Sequence, residues 1–276
     1  MQLPSPRPIG VFDSGYGGLT VLKEFAEILP EYDYIYLGDN ARNPYGTRSF
    51  DTVYHYTLEC VKHLFDKGCR LVILACNTAS AKALRTIQQH DLPLMEGGRR
   101  VLGVIRPTTE IVGNITRTGR IGVFATAGTV ASQSYPIEIK KFFPELKVYQ
   151  EACPMWVPLV ENNEFNGPGA DYFIKKHIGA LLRQCRDIDT IILGCTHYPL
   201  LINKIKQFLP PTVSLLQQGE VVARSLAAYL QRHPDMEAAC SKTGRYSFYT
   251  TDSTALFDRH AAVFFGKPVQ SRHLEL

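Results

Sequence analysis

The chain has 276 residues, 45% apolar and 20% charged, with a formal charge of +4: a globular protein of one large α/β domain or two smaller ones. No apolar run is of membrane-spanning length, residues 1–6 carry no secretory leader pattern, and no basic stripe with interleaved aromatics points to nucleic acid. Seven cysteines, an odd count without framework spacing, are expected to be reduced thiols in a cytoplasmic protein.

Residues 8–12 (Pro-Ile-Gly-Val-Phe) read as a first strand. It breaks into Asp13-Ser14-Gly15-Tyr16-Gly17-Gly18, and a helix follows over 19–29. The glycines permit tight turns and close approach to the backbone, and Asp13 and Ser14 either cap the helix or face a ligand. No G-x-G-x-x-G is present, so a dinucleotide fingerprint is lacking. A second strand, 34–37, ends at Gly38-Asp39-Asn40. Asn43-Pro44-Tyr45-Gly46 has the composition of a plain turn, which can also offer the Tyr45 and Gly46 N–H groups to an anion. A helix over 49–67, closed by Gly68, carries His55 and His63 as surface or packing residues.

Leu71-Val72-Ile73-Leu74-Ala75-Cys76-Asn77-Thr78 is next, followed by a helix over 81–89. A buried parallel strand ends this way, delivering Cys76 at its C-terminal end, where open α/β sheets bind ligands. Residues 91–100 read as a surface connection, with Arg99-Arg100 as a solvated loop, and 101–105 as a strand. A helix is expected after Pro107. Ile121-Gly122-Val123-Phe124 then repeats the Ile-Gly-Val-Phe of residues 9–12, before Ala125-Thr126-Ala127-Gly128-Thr129. Residues 151–161 read as extended and proline-broken, and 169–184 as a helix. A second strand of the Cys76 type runs Thr190-Ile191-Ile192-Leu193-Gly194-Cys195-Thr196-His197-Tyr198-Pro199-Leu200. A short strand at 213–216, a helix at 220–231, a flexible loop at 235–243 and a strand at 246–250 complete the reading.

One cysteine after an apolar run is most often a small buried hydrophobe. Two of them, each with polar neighbours, in a chain whose Ile-Gly-Val-Phe also recurs in the same order, read as a duplicated half. Two such halves can face each other across a cleft. A pair of thiols suits a nearly symmetric reaction, proton transfer at a stereocentre, in which one group removes a proton and the other returns one on the opposite face. The ordinary thiol pKa of about 8.5 lies close to working pH. Asp13 and His197 stand where each thiol needs a helper; Cys-x-His without a further cluster is a poor metal signature. A racemase of another diacid, a two-domain amino-acid-binding protein and a Cys/His metal protein remain as alternatives; no lysine stands at a comparable junction for pyridoxal phosphate.

Asp-Ser-Gly-x-Gly-Gly at 13–18, Pro-Tyr-Gly at 44–46, Cys-Asn-Thr at 76–78 and Gly-Cys-Thr-His-Tyr-Pro-Leu at 194–200 together resemble the glutamate racemases of bacterial cell-wall synthesis. The four span nearly the whole chain and differ from the related aspartate racemases. The resemblance implies a cofactor-independent enzyme that interconverts L- and D-glutamate and supplies D-glutamate for peptidoglycan and cell shape. It implies two pseudo-symmetric α/β domains, about 1–103 plus 217–276 around 104–216, each a mainly parallel sheet flanked by helices, with the site between them. Cys76 would act on D-glutamate with Asp13, and Cys195 on L-glutamate with His197. Substrate contacts would fall on Asp13, Ser14, Tyr45, Gly46, Asn77, Thr78, Thr196 and His197, and also on Thr126 and Thr129. Glu161 resembles a further acidic residue near the site. Glutamate is then the partner, in a homodimer, without cofactor, metal, nucleic acid or membrane. Arg106-Pro107-Thr108-Thr109 departs from the expected helix start, at a place taken to lie away from the chemistry.

Overall fold

The computed structural model describes residues 7–95 and 97–276. Residues 1–6, read above for a leader, lie outside that range, as does Glu96. Ten strands occur among the described residues: β1 (Ile9–Asp13), β2 (Tyr34–Gly38), β3 (Leu71–Leu74), β4 (Arg100–Gly103), β5 (Arg120–Ala125), β6 (Lys147–Ala152), β7 (Thr190–Gly194), β8 (Ser214–Leu216), β9 (Tyr246–Thr250) and β10 (Ser271–His273). All pair in parallel, in two sheets ordered β10-β9-β2-β1-β3-β4 and β6-β5-β7-β8. β1, β2, β3 and β7 are buried along their whole length. Parallel strands covered by helices on both faces must be apolar throughout, which is why these four read as unbroken apolar runs.

The internal repeat is a repeat of register. Phe12 pairs with Leu74 in the first sheet, and Phe124 pairs with Leu193 in the second. The order β2-β1-β3-β4 is matched by β6-β5-β7-β8. The two Ile-Gly-Val-Phe segments are therefore the same strand of each half, and Cys76 and Cys195 stand at the same distance beyond Leu74 and Leu193. The chain leaves the first sheet after β4 and returns to it after β8, adding β9 and β10 beside β2.

Several expectations are corrected. The segment 151–161 is not extended throughout: β6 ends at Ala152 and Trp156–Glu161 is helical. Pro158 sits in that helix's first turn, where a missing N–H costs nothing, and Trp156 is fully buried. Pro107 likewise lies inside the first turn of the helix Ile105–Ile111 rather than before it. The helix after Cys76 starts at once, as Asn77–Lys82, and the chain continues through Leu84–Thr86 into the wider turn Ile87–Asp91. Arg100 opens β4, and Arg99 lies over the Phe65 ring. Residues 235–243 are no flexible loop. Pro234–Ala238 is a helical turn, Cys240 is buried and pairs with Arg7, and the Asp33 carboxylate accepts from Thr243 and Arg245 backbone N–H groups. Those ties come from 200 residues away in the chain, so local composition could not show them. β6, β10 and the helix Thr254–Phe265 were not read, although Ser253 caps that helix and Gly266, at φ 80°, stops it.

Candidate active site

The first wall is built at the ends of β1 and β3. Cys76 caps the helix Asn77–Lys82, its sulfur accepting from Ala79 N–H at 3.5 Å, and the Ser14 hydroxyl lies 3.5 Å from it. Burial, then the charge of Asp13, push the thiol up to about 12 against those two hydrogen bonds. Asp13 closes β1 and is 1% exposed. Its Oδ2 accepts from Gly15 N–H at 2.9 Å, whereas Oδ1 is buried with no partner. Burial raises the carboxyl, opposed by the charge of His197 and the N–H groups of Gly15 and Gly18.

The second wall follows β7. The Cys195 sulfur lies 3.9 Å from His197 Nδ1, and His197 Nε2 lies 2.9 Å from Glu161 Oε1. Burial works against the imidazolium, but the hydrogen bonds and charges of Cys195 and Glu161 outweigh it and push His197 up to about 10. Burial also raises the Glu161 carboxyl, yet the His197 hydrogen bond and charge and the Asn43 amide hold it below its ordinary value. After Cys195 the chain forms a 3-10 turn, Tyr198–Leu201, leading into Ile202–Phe208. Gly17 brings the first half onto this wall: a Cβ there would stand 2.2 Å from Thr196 Oγ1 and 2.4 Å from His197 Nδ1, which only glycine avoids.

The His197 value sets a pH dependence. Its folded pKa lies above the unfolded one, so its stabilisation is complete below about 6.5 and is lost as pH rises through about 10. The thermal midpoints of the parent and His197→Asn are therefore expected to differ most near about pH 6 and to converge by about pH 10. A gap that widens with pH would contradict the imidazolium assignment.

Both walls meet in one cavity of about 130 Å³. Ser14, Tyr45, Gly46, Cys76, Asn77, Thr78, Thr126, Cys195, Thr196 and His197, all singled out in the sequence, line it. Asp13, Thr129 and Glu161 stand behind the lining, Thr129 holding Thr126 at 3.1 Å and Thr78 at 3.4 Å. The plain turn at Asn43-Pro44-Tyr45-Gly46 is instead part of the lining. The Tyr45 phenol points away, into the buried Asp39 carboxylate, which also takes Arg42 Nε at 2.7 Å and Thr251 Oγ1 at 2.9 Å. What this loop offers the cavity is therefore its backbone. Asn77 is held at both ends of its amide, by Tyr135 Oη at 2.7 Å and Gln218 Oε1 at 2.8 Å, leaving one amide N–H.

Sequence reasoning gave no role to Asp39, and it missed Asn43, Tyr135 and Gln218, whose partners Glu161 and Asn77 are distant in the chain. It also misjudged the Arg106–Thr109 stretch. Thr108 Oγ1 accepts from Gln218 Nε2 at 3.2 Å, so that helix start supports Asn77 through one intermediary. A third thiol, Cys153, lies on the lining, but its sulfur faces the Glu151 carbonyl at 3.7 Å and burial raises it well above its ordinary value. No group of three or more His, Cys, Asp or Glu side chains able to hold a metal occurs among the described residues. No helix among them is long and apolar enough to cross a membrane.

Two thiols, each with a different polar neighbour, face one cavity from two sheets. Comparison with known proteins gives the family. The Asp/Glu/Hydantoin racemase family matches residues 9–226. The glutamate racemase of Geobacter metallireducens is 40% identical over 261 residues, covering 94% of this chain and 93% of the relative. Among solved structures, a glutamate racemase of Bacillus anthracis superposes with a TM-score of 0.89 at 34% identity, covering 100% of this chain and 99% of the other. The glutamate racemase of Francisella tularensis, in complex with D-glutamate, gives 0.86 at 32% identity, covering 98% and 97%.

Proposed function

The chain belongs to the Asp/Glu/Hydantoin racemase family, and from that premise we propose that it interconverts L- and D-glutamate by two-thiol proton transfer at Cα. The observation that carries the mechanism is the repeated register: each sheet delivers one cysteine to the same cavity, and each cysteine has a different helper. His197 imidazolium lies 3.9 Å from the Cys195 sulfur, placed to offset the negative charge on that sulfur when it acts as base, while Cys76 keeps its proton. That state is ready to take the Cα proton of L-glutamate on one face and deliver the Cys76 proton on the other. The reverse reaction needs Cys76 as thiolate, and Asp13, whose charge acts on Cys76 and whose Oδ1 has no partner, is the base assigned to take its proton. Backbone N–H groups of Tyr45 and Gly46, with the hydroxyls of Ser14, Thr78, Thr126 and Thr196, are the donors available to the substrate carboxylates. Thr129 acts through Thr78 and Thr126, Asn77 through the start of its helix, and Glu161 through His197.

The division into domains, 1–103 plus 217–276 around 104–216, belongs to the same reading, supported by β1–β4, β9 and β10 sharing one sheet and β5–β8 the other. So do the cofactor-free chemistry, a cytoplasmic homodimer and a supply of D-glutamate to peptidoglycan, all of which rest on the likeness to glutamate racemases. The test is purified protein without added cofactor. L-Glutamate and D-glutamate are each expected to run to the racemic mixture by polarimetry, with and without chelator. Faster turnover of aspartate would reassign the substrate, and no turnover of either would overturn the reading.

A further inference from the structure

Among the hydrogen bonds that join the two halves, which include Gly128 N–H to the Gly46 carbonyl at 2.8 Å, one pair of donors meets at a single carboxylate oxygen. Asn43 belongs to the loop after β2, on the first-sheet side, and immediately precedes Pro44-Tyr45-Gly46. Glu161 ends the helix Trp156–Glu161, on the second-sheet side. Asn43 Nδ2 donates to Glu161 Oε1 at 2.8 Å, and His197 Nε2 lies 2.9 Å from that same oxygen. Gly15 backs the amide: a Cβ there would come within 3.3 Å of Asn43 Nδ2. The amide thus packs beside Gly15, where a side chain would crowd it, and donates to the carboxylate. Its charge matters too. A lysine in this place would compete with His197 for the carboxylate, whereas a neutral amide donates a hydrogen bond and leaves the negative charge to the imidazolium.

We propose that Asn43 is a positioning residue of the two-thiol reaction proposed above, on which this inference rests: it latches the Tyr45–Gly46 loop to Glu161 and so couples cleft closure to the placement of His197 beside Cys195. The latch makes one movement do two things. It brings the backbone donors of the loop over the substrate, and it fixes the acceptor that orients the helper of one thiol. Cys76 and Asp13 lie on the other wall, and no hydrogen bond among the described residues joins either side chain to Asn43. Loss of the latch therefore weighs on the half-reaction in which Cys195 is the base. For a pair of enantiomers the equilibrium constant is one, so kcat/KM falls equally in both directions. The asymmetry shows in kcat, with a matching asymmetry in KM.

The test is a double-mutant cycle on purified full-length chain with L- and D-glutamate. Asn43→Ala is expected to lower kcat/KM about tenfold, the loss of one charge-assisted hydrogen bond, with kcat from L-glutamate falling more than kcat from D-glutamate. Asn43→Asp keeps the shape and turns the donor into a carboxylate facing Glu161, so it is expected to lose more than Asn43→Ala. In a Glu161→Ala background both substitutions are expected to add little, because their shared partner is gone. Isosteric Asn43→Asp also guards against a trivial folding defect, checked by thermal midpoints. Additive losses in the cycle, equal kcat losses in both directions, or an Asn43→Asp enzyme no worse than Asn43→Ala would overturn the latch while leaving the two-thiol reading intact. A parent protein inactive on glutamate would overturn both.

Discussion

Serine in place of Cys195 is expected to lower racemisation in both directions by on the order of 10²–10⁴-fold, the range for loss of a positioned acid or base, and serine in place of Cys76 by a similar factor. Either substitution hits both directions because each enantiomer needs a base on one face and an acid on the other. A serine hydroxyl is a far weaker acid than a thiol, so its alkoxide is scarcely populated where the thiolate is. The environment sharpens the difference. His197, held as imidazolium by Glu161 and 3.9 Å from the Cys195 sulfur, is placed to offset negative charge that develops there. It cannot draw enough charge onto an alcohol to replace it. Cys153→Ser is the contrast: its sulfur engages the Glu151 carbonyl and has no helper, so activity is expected to stay within a few-fold of the parent. The measurement is initial velocity from each enantiomer by polarimetry. A Cys195→Ser or Cys76→Ser enzyme with parental rates would remove that thiol from the chemistry, and a collapse on Cys153→Ser would mean that the wrong pair has been chosen.

The strands that carry the cysteines were legible because burial on both faces leaves only apolar residues, and such runs mark themselves. The repeat was legible for the same reason: Ile-Gly-Val-Phe recurs at β1 and β5, the central strands of two sheets with one order. What the repeat could not show is where it is broken. By register, Asp13 corresponds to Ala125, and Thr78 corresponds to His197. Each half thus places its helper at a different step of the same scaffold, and identical thiols acquire different protonation environments. Asn43, Gln218 and Tyr135 were invisible because each acts through a partner 58 to 141 residues away. Trp156–Glu161 was misread because prolines were counted as breaks, although Pro158 lies where a helix tolerates one. That helix carries Glu161, so the error hid the cross-cleft contact as well.

L-Glutamate turned over in deuterated water is expected to give D-glutamate carrying one deuteron at Cα, while the remaining L-glutamate stays almost unlabelled early in the reaction. The argument rests on where each proton comes from and on how closed the site is. Cys195 takes the protium from L-glutamate, and the atom delivered to the opposite face comes from Cys76, which has equilibrated with solvent before substrate enters. Cys76 and Cys195 are 6% and 5% exposed, on a cavity of about 130 Å³. With glutamate filling that cavity, the protium on Cys195 is expected to exchange with bulk water more slowly than the carbanion collapses. If the carbanion collapses backwards it regains that same protium, so the substrate pool does not acquire label. A single base serving both faces would behave otherwise, since one exchanging proton would return to either face and label both pools together. Geometry argues against it: Cys76 and Cys195 come from different sheets, and a displacement of about 1 Å from the reacting carbon already costs catalysis heavily. The measurement is mass or NMR analysis of both enantiomers at low conversion, repeated from D-glutamate. Deuterium entering the unreacted enantiomer as fast as product forms would show that one group, or an open site, handles both faces.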